Sequence, residues 1–197
     1  MKELLGELLE VLQLKHPFIG NSLQAGIEKE NIDSMLQGTT VKLPKEVYEL
    51  FSWRNGLKAE ILENEPLGKL WVLQMGAFAP FEFALEDYLQ FVAAGYWKEH
   101  YFPLFGSGGG DYYLIDCNPA SSIYNMVLFY SPSDVDFDGY ITVYDSLPQL
   151  VQSVIACYTS GAYRVDKENY LQIDYLFERE IAKANNPKAE YWRIVKN

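Results

Sequence analysis

Tyr101-Phe102-Pro103-Leu104-Phe105, Tyr112-Tyr113-Leu114-Ile115, Met126-Val127-Leu128-Phe129-Tyr130 and Tyr140-Ile141-Thr142-Val143-Tyr144 follow one another within residues 101–144. Each run is aromatic or β-branched, the side-chain types that pack well on a pleated, half-buried surface. Clusters of Gly, Pro, Asn and Asp separate the runs, and these residues favour tight turns. Four short strands joined by turns make an antiparallel meander.

Helical spacing brackets this stretch. Leu4, Leu5, Leu8, Leu9 and Leu12 fall on one face, with Glu3, Glu7 and Glu10 between them, which predicts an amphipathic helix over 3–14 ended by His16-Pro17. A second helix is predicted from about Leu23 to Gln37, with Asn21 or Ser22 as its cap. Pro44 suits the first position of a third, through Glu46, Val47, Leu50 and Phe51 to the stop at Asn55-Gly56. Strand character at Leu70–Gln74 precedes a helix over residues 84–94 that Gly95 closes. After the meander, Ser146 caps a helix containing Pro148, Leu150, Val151, Val154 and Ile155, and residues 167–184 read as a last charged helix. Helices, then strands, then helices define an α+β fold, with a largely antiparallel sheet flanked by N- and C-terminal helices. The 197 residues suit one domain.

Hydrophobic residues form 49% of the chain and charged residues 22%, the range of a folded protein rather than a disordered one. The net charge is -11. That argues against nucleic-acid binding, which needs clustered Lys and Arg, and against an anionic membrane surface. It leaves open a basic partner, such as another protein. The charge is also uneven. Residues 99–163 contain neither Lys nor Arg, against Glu99, Asp111, Asp116, Asp134, Asp136, Asp138 and Asp145. Such a stretch reads either as acids placed in the turns of a sheet or as a functional acidic face. The acids of the N-terminal apolar run disfavour a signal peptide, and no stretch approaches the roughly 20 apolar residues of a membrane span. Cys117 and Cys157 are too few for a disulfide framework or a zinc site and read as reduced core thiols. A cytoplasmic protein is expected.

Three motifs invite chemistry. Gly106-Ser107-Gly108-Gly109-Gly110-Asp111 lacks the Gly-Lys-Ser/Thr ending of a phosphate loop, and a strand rather than a helix follows it. It reads as a turn between strands. Ser107 as a nucleophile lacks a glycine two residues earlier, where Phe105 stands, and only His16 or His100 could serve as its base. Asp134-Val135-Asp136-Phe137-Asp138-Gly139 through Asp145 matches much of a calcium loop. Its last position holds Asp145 rather than Glu, and a strand replaces the entering helix, so a solvated acidic hairpin loop is favoured over a calcium site. Of the 15 Tyr, 11 Phe and 4 Trp most must be core, but Tyr112, Tyr113, Tyr124 and Tyr130 lie near the acids and could form a partner-facing cluster.

Leu43-Pro44-Lys45-Glu46-Val47-Tyr48-Glu49-Leu50-Phe51 with Asn55-Gly56 resembles a segment of the SUKH superfamily, relatives of the fungal cell-wall-assembly regulator that include many bacterial immunity proteins. Phe102-Pro103-Leu104-Phe105-Gly106 with the glycine turn and Asp111-Tyr112-Tyr113-Leu114-Ile115-Asp116 resembles its strand, Gly-Gly-Asp turn and "Leu-Asp" strand. Ile141–Asp145 running into Ser146-Leu147-Pro148-Gln149-Leu150 resembles its last strand and helix. Leu57 follows Gly56 where the family often has a second glycine. The resemblance spans about 25–160, leaving 161–197 as a C-terminal helical extension of a single SUKH-like domain over 1–197. It implies no enzyme and no cofactor, and the residues assign no metal site. It implies an immunity protein that blocks a cognate polymorphic toxin, often a nuclease, with a regulatory or scaffolding module as the alternative. The candidate partner-binding residues are Asp111, Tyr112, Asp116, Asp134, Asp136 and Asp138.

Overall fold

The computed structural model describes residues 1–133 and 139–194. Helix α1 (Lys2–Lys15) buries Leu5, Leu8 and Leu12, and α2 (Pro17–Ser22) follows at once. The long second helix expected from Leu23 is instead β1 (Leu23–Ala25), a break at Gly26, and the short α3 (Lys29–Met35). The reason is tertiary. Leu23 and Ala25 pair antiparallel with Leu57 and Arg54, and a Cβ on Gly26 would sit 1.8 Å from the Ser52 carbonyl oxygen. Helix α4 (Lys45–Trp53) has Pro44 as its N-cap and leads into β2 (Arg54–Leu57). Helix α5 (Ala59–Asn64) and a 3-10 turn (Leu67–Lys69) precede β3 (Trp71–Leu73), β4 (Gly76–Ala77) and α6 (Phe81–Ala93).

The meander forms where the sequence places it: β5 (Tyr101–Gly106), β6 (Tyr112–Asp116), β7 (Val127–Tyr130) and β8 (Tyr140–Tyr144). The main sheet has six strands in the order β3-β4-β5-β6-β7-β8, all neighbours antiparallel. Ser146 caps α7 (Leu147–Ser160), its hydroxyl oxygen accepting the Gln149 N–H. The final charged helix is shorter than expected. Residues 163–173 form a hairpin of β9 (Tyr163–Val165) and β10 (Leu171–Ile173) before α8 (Tyr175–Asn185) and α9 (Tyr191–Ile194). Asp166 makes that turn by accepting the N–H groups of Glu168 and Tyr170, with Asn169 at φ 69°.

One buried cluster runs from Leu5 to Leu171. A chain of rings ties its layers together: Phe51 of α4 packs on Phe78 and on Phe81 of α6, Phe78 on Phe105 and Phe81 on Phe102 of β5, with centroids 5.1–5.5 Å apart. Each fully buried Phe is worth about 1.5–3 kcal/mol of transfer free energy. This packing anchors α6 across β5. The C-terminal segment covers the outer side of β8. Trp192 donates its indole N–H to the Val143 carbonyl at 2.5 Å, the Asn186 side chain accepts the Asp145 N–H at 3.0 Å, and the Lys188 N–H bonds the Asp145 carboxylate. A strand edge left open would be a template for association.

Candidate functional site

The site begins with a helix cap supplied from a distance. Pro80 stands at the N-cap of α6 and offers no side-chain bond. Asn55, 8% exposed, replaces it: its Oδ1 accepts the Phe81 N–H at 2.8 Å and its Nδ2 donates to Glu82 at 3.0 Å. Gly56 adopts φ 71°, and a Cβ there would lie 2.3 Å from the Ala79 carbonyl carbon. Helix α4 ends at Trp53 with Arg54 already extended, so Asn55-Gly56 sits within β2 rather than forming the expected stop of α4. The pair fixes where α6 starts and how closely it approaches β2.

The glycine turn forms a second wall. Ser107 is buried, and its oxygen accepts the N–H groups of Gly109 and Asp111 at 2.9 and 3.2 Å while its hydroxyl donates to the Asp111 carboxylate at 3.0 Å. The turn spends its polar groups on itself, and its serine proton goes to Asp111 rather than to a histidine. His16 is fully buried against Tyr158, and burial pushes its pKa down to about 4. Gly108, at φ 79°, leaves the space that the Leu67 side chain occupies; a Cβ would lie 2.3 Å from it.

Between these walls lies a groove of about 430 Å³. Leu62, Leu67 and Leu70 form one side, Ala77 and Pro103–Gly106 the floor, and Phe83, Glu86, Asp87 and Gln90 of α6 the other side. Residues 83, 86, 87 and 90 share a helix face because they are three or four apart. Phe83 is 38% and Leu67 47% exposed. Tyr112 closes one end, its ring edge-on to Trp97 at 4.8 Å and Phe91 at 5.4 Å. Burial raises the Tyr112 phenol, and the facing Asp87 carboxylate raises it further. Burial likewise raises Asp87, against the pull of Tyr112 and with the help of neighbouring Glu86. Among the described residues that line the groove none is Lys or Arg. Lys69 lies next to it in sequence but ion-pairs with Glu65 at 3.2 Å and covers the Tyr170 ring.

The candidate residues part company here. Tyr112 and the adjacent Asp111 lie at the groove end of β6. Asp116 lies at the strand's other end, roughly 13 Å away at about 3.3 Å per residue. It is fully buried, with Oδ1 accepting the Asn118 N–H at 2.8 Å and Oδ2 without a protein partner. A partner cannot reach this carboxylate without opening the turn it organises. Asp134, Asp136 and Asp138 lie outside the described residues. Of the tyrosine cluster, Tyr113 and Tyr130 are core, Tyr124 is 39% exposed and Tyr112 is half-buried. The acids the sequence reading passed over, Glu86 and Asp87, sit in a helix recognised as such. The available signal was Phe83 at helical spacing from Glu86 and Asp87, on a face turned away from Leu85 and Tyr88.

The chain thus pairs an α+β fold with a surface groove that joins apolar side chains to acids. Residues 26–153 match the SMI1 / KNR4 family (SUKH-1), and the chain belongs to that family. A search of curated proteins found no match. Among the described residues no group of three or more His, Cys, Asp or Glu is placed to hold a metal ion, and no helix is long and apolar enough to cross a membrane.

Proposed function

We propose that this chain is a non-catalytic, cytoplasmic immunity protein that binds a cognate bacterial polymorphic toxin and blocks it sterically and electrostatically. The observation that carries the reading is family membership across residues 26–153 combined with an acidic surface groove that no cation lines among the described residues. Toxins that act on nucleic acid must attract phosphates and so present basic sites. An inhibitor with a net charge of -11 gains association rate and discrimination from that complementarity. We read residues 1–197 as one domain in which 161–197 supports the family core. Co-expression with the product of the neighbouring gene tests the reading. The expected result is growth arrest by that product alone, relief by this chain and a co-purifying complex. A product harmless alone, or lethal in this chain's presence with no complex formed, overturns it.

A further inference from the structure

The groove between α6 and the glycine turn combines features that single out one kind of occupant. Its floor and one side are apolar, and two large side chains, Leu67 and Phe83, remain exposed beside it. Exposed apolar side chains gathered beside a groove and rimmed by acids, rather than scattered singly, mark an interaction site. Its volume of about 430 Å³ lies within the roughly 300–1,000 Å³ range of ligand clefts, room for an anchoring side chain and its neighbour. The charges along it have one sign. Glu86 and Asp87 stand side by side on α6, and Asp87 is half removed from water with no Lys or Arg among the described residues that line the groove. The ion pairs of Lys29 with Asp33, Lys45 with Glu49 and Lys69 with Glu65 involve neither. A desolvated carboxylate beside a like charge gains most from an arriving ammonium or guanidinium. A neutral apolar ligand would leave both acids unanswered. A second copy of this acidic chain would bring further negative charge.

We propose that the groove is the docking site for an exposed segment of a basic partner protein, with an apolar side chain seated between Leu67 and Phe83 and an adjacent Lys or Arg held by Glu86 and Asp87. This rests on the reading of the chain as a binding protein and assigns the surface it uses. Tyr112 at the groove end supplies a rigid aromatic face and keeps Asp87 positioned. Asp134, Asp136 and Asp138 are not required for this contact.

The test uses the full chain and a random 12-residue peptide library displayed on phage. Selection on the wild type is compared with selection on Glu86→Lys and Phe83→Asp, whose side chains are solvent-exposed. Glu86→Gln serves as a milder variant should the reversal disturb folding, and circular dichroism verifies each fold. Enriched peptides are expected to pair Leu, Ile, Met or Phe with Lys or Arg within four positions. Affinity for such a peptide should fall about 10-fold or more in either variant and weaken with added salt. Neutral or acidic winners, no enrichment, self-association through this face, or affinities within about 2-fold across all variants overturn the proposal. The same variants in toxin co-expression separate the two ideas. Protection by the wild type and equally by the variants sinks the groove and spares the immunity reading. Groove-dependent peptide binding without protection spares the groove and sinks the immunity reading.

Discussion

Replacing Asn55 by alanine tests whether a side chain 26 residues away in sequence sets the start of α6. The substitution removes the acceptor of the buried Phe81 N–H and the donor to Glu82. Stranding a buried N–H costs about 1–3 kcal/mol, and losing the Glu82 bond adds about 1 kcal/mol at this partly exposed position. The expected loss is about 3 kcal/mol, or about 6–12 °C in Tm for a chain of this size. Urea unfolding followed by tryptophan fluorescence measures it through the shift in midpoint at constant slope. Asn55→Asp keeps an acceptor for Phe81 but places a second carboxylate against Glu82, so it should fall between alanine and wild type. A loss below about 0.5 kcal/mol in the alanine variant, the range of ordinary surface changes, would refute the capping argument. It would also mean that α6, and with it Phe83, Glu86 and Asp87, is held by ring packing alone.

Glu178 of α8 is 4% exposed, accepts the Tyr163 hydroxyl, and burial pushes its carboxyl up from 4.5 to about 7. The native state therefore keeps a proton that the unfolded chain loses between pH 4.5 and about 7, so stability falls as pH rises through that window and is level above it. Glu178→Gln should flatten that slope and gain about 2–3 kcal/mol at pH 8; an unchanged slope in denaturation across pH 4.5–7.5 refutes this. Trp192→Ala removes a buried ring and its bond to Val143, and should cost about 3 kcal/mol and produce concentration-dependent association through the uncovered β8 edge, read by light scattering. A monomer of wild-type stability counts against the latch. Cys117 and Cys157 are buried, and burial raises both thiols, Cys157 to about 12. Neither should react with Ellman's reagent at pH 8 until urea is added, and rapid native labelling of either contradicts their placement.

Local chemistry made much of the fold legible. The aromatic and β-branched runs and the turn residues of 101–144 mark β5 to β8 to within a residue or so, because strand and turn propensity are encoded in neighbours, although the strands are buried along almost their whole length rather than at alternate residues. Ser146 announced α7 for the same reason. Residues 23–25 and 167–173 form strand and turn where helical spacing predicts helix, because strand pairing set by distant or turn-local hydrogen bonds overrides propensity. Of the candidate residues Tyr112 lines the groove, Asp111 beside it is held in the glycine turn by Ser107, and Asp116, two strand pleats further on, turns inward and is buried by its neighbouring turn.

The sequence by itself determined that this is an acidic α+β protein with an antiparallel meander, a reduced pair of core thiols and a SUKH-type pattern, since charge totals, periodicity and short motifs are local properties. Only the tertiary structure decided which acids share a surface. Glu86 and Asp87 join Tyr112 because Asn55 and Gly56 fix the start of α6 and the rings of Phe51, Phe78, Phe81 and Phe102 hold it across β5. Which way a carboxylate faces depends on packing between elements far apart in the chain, and no window of neighbouring residues contains that information.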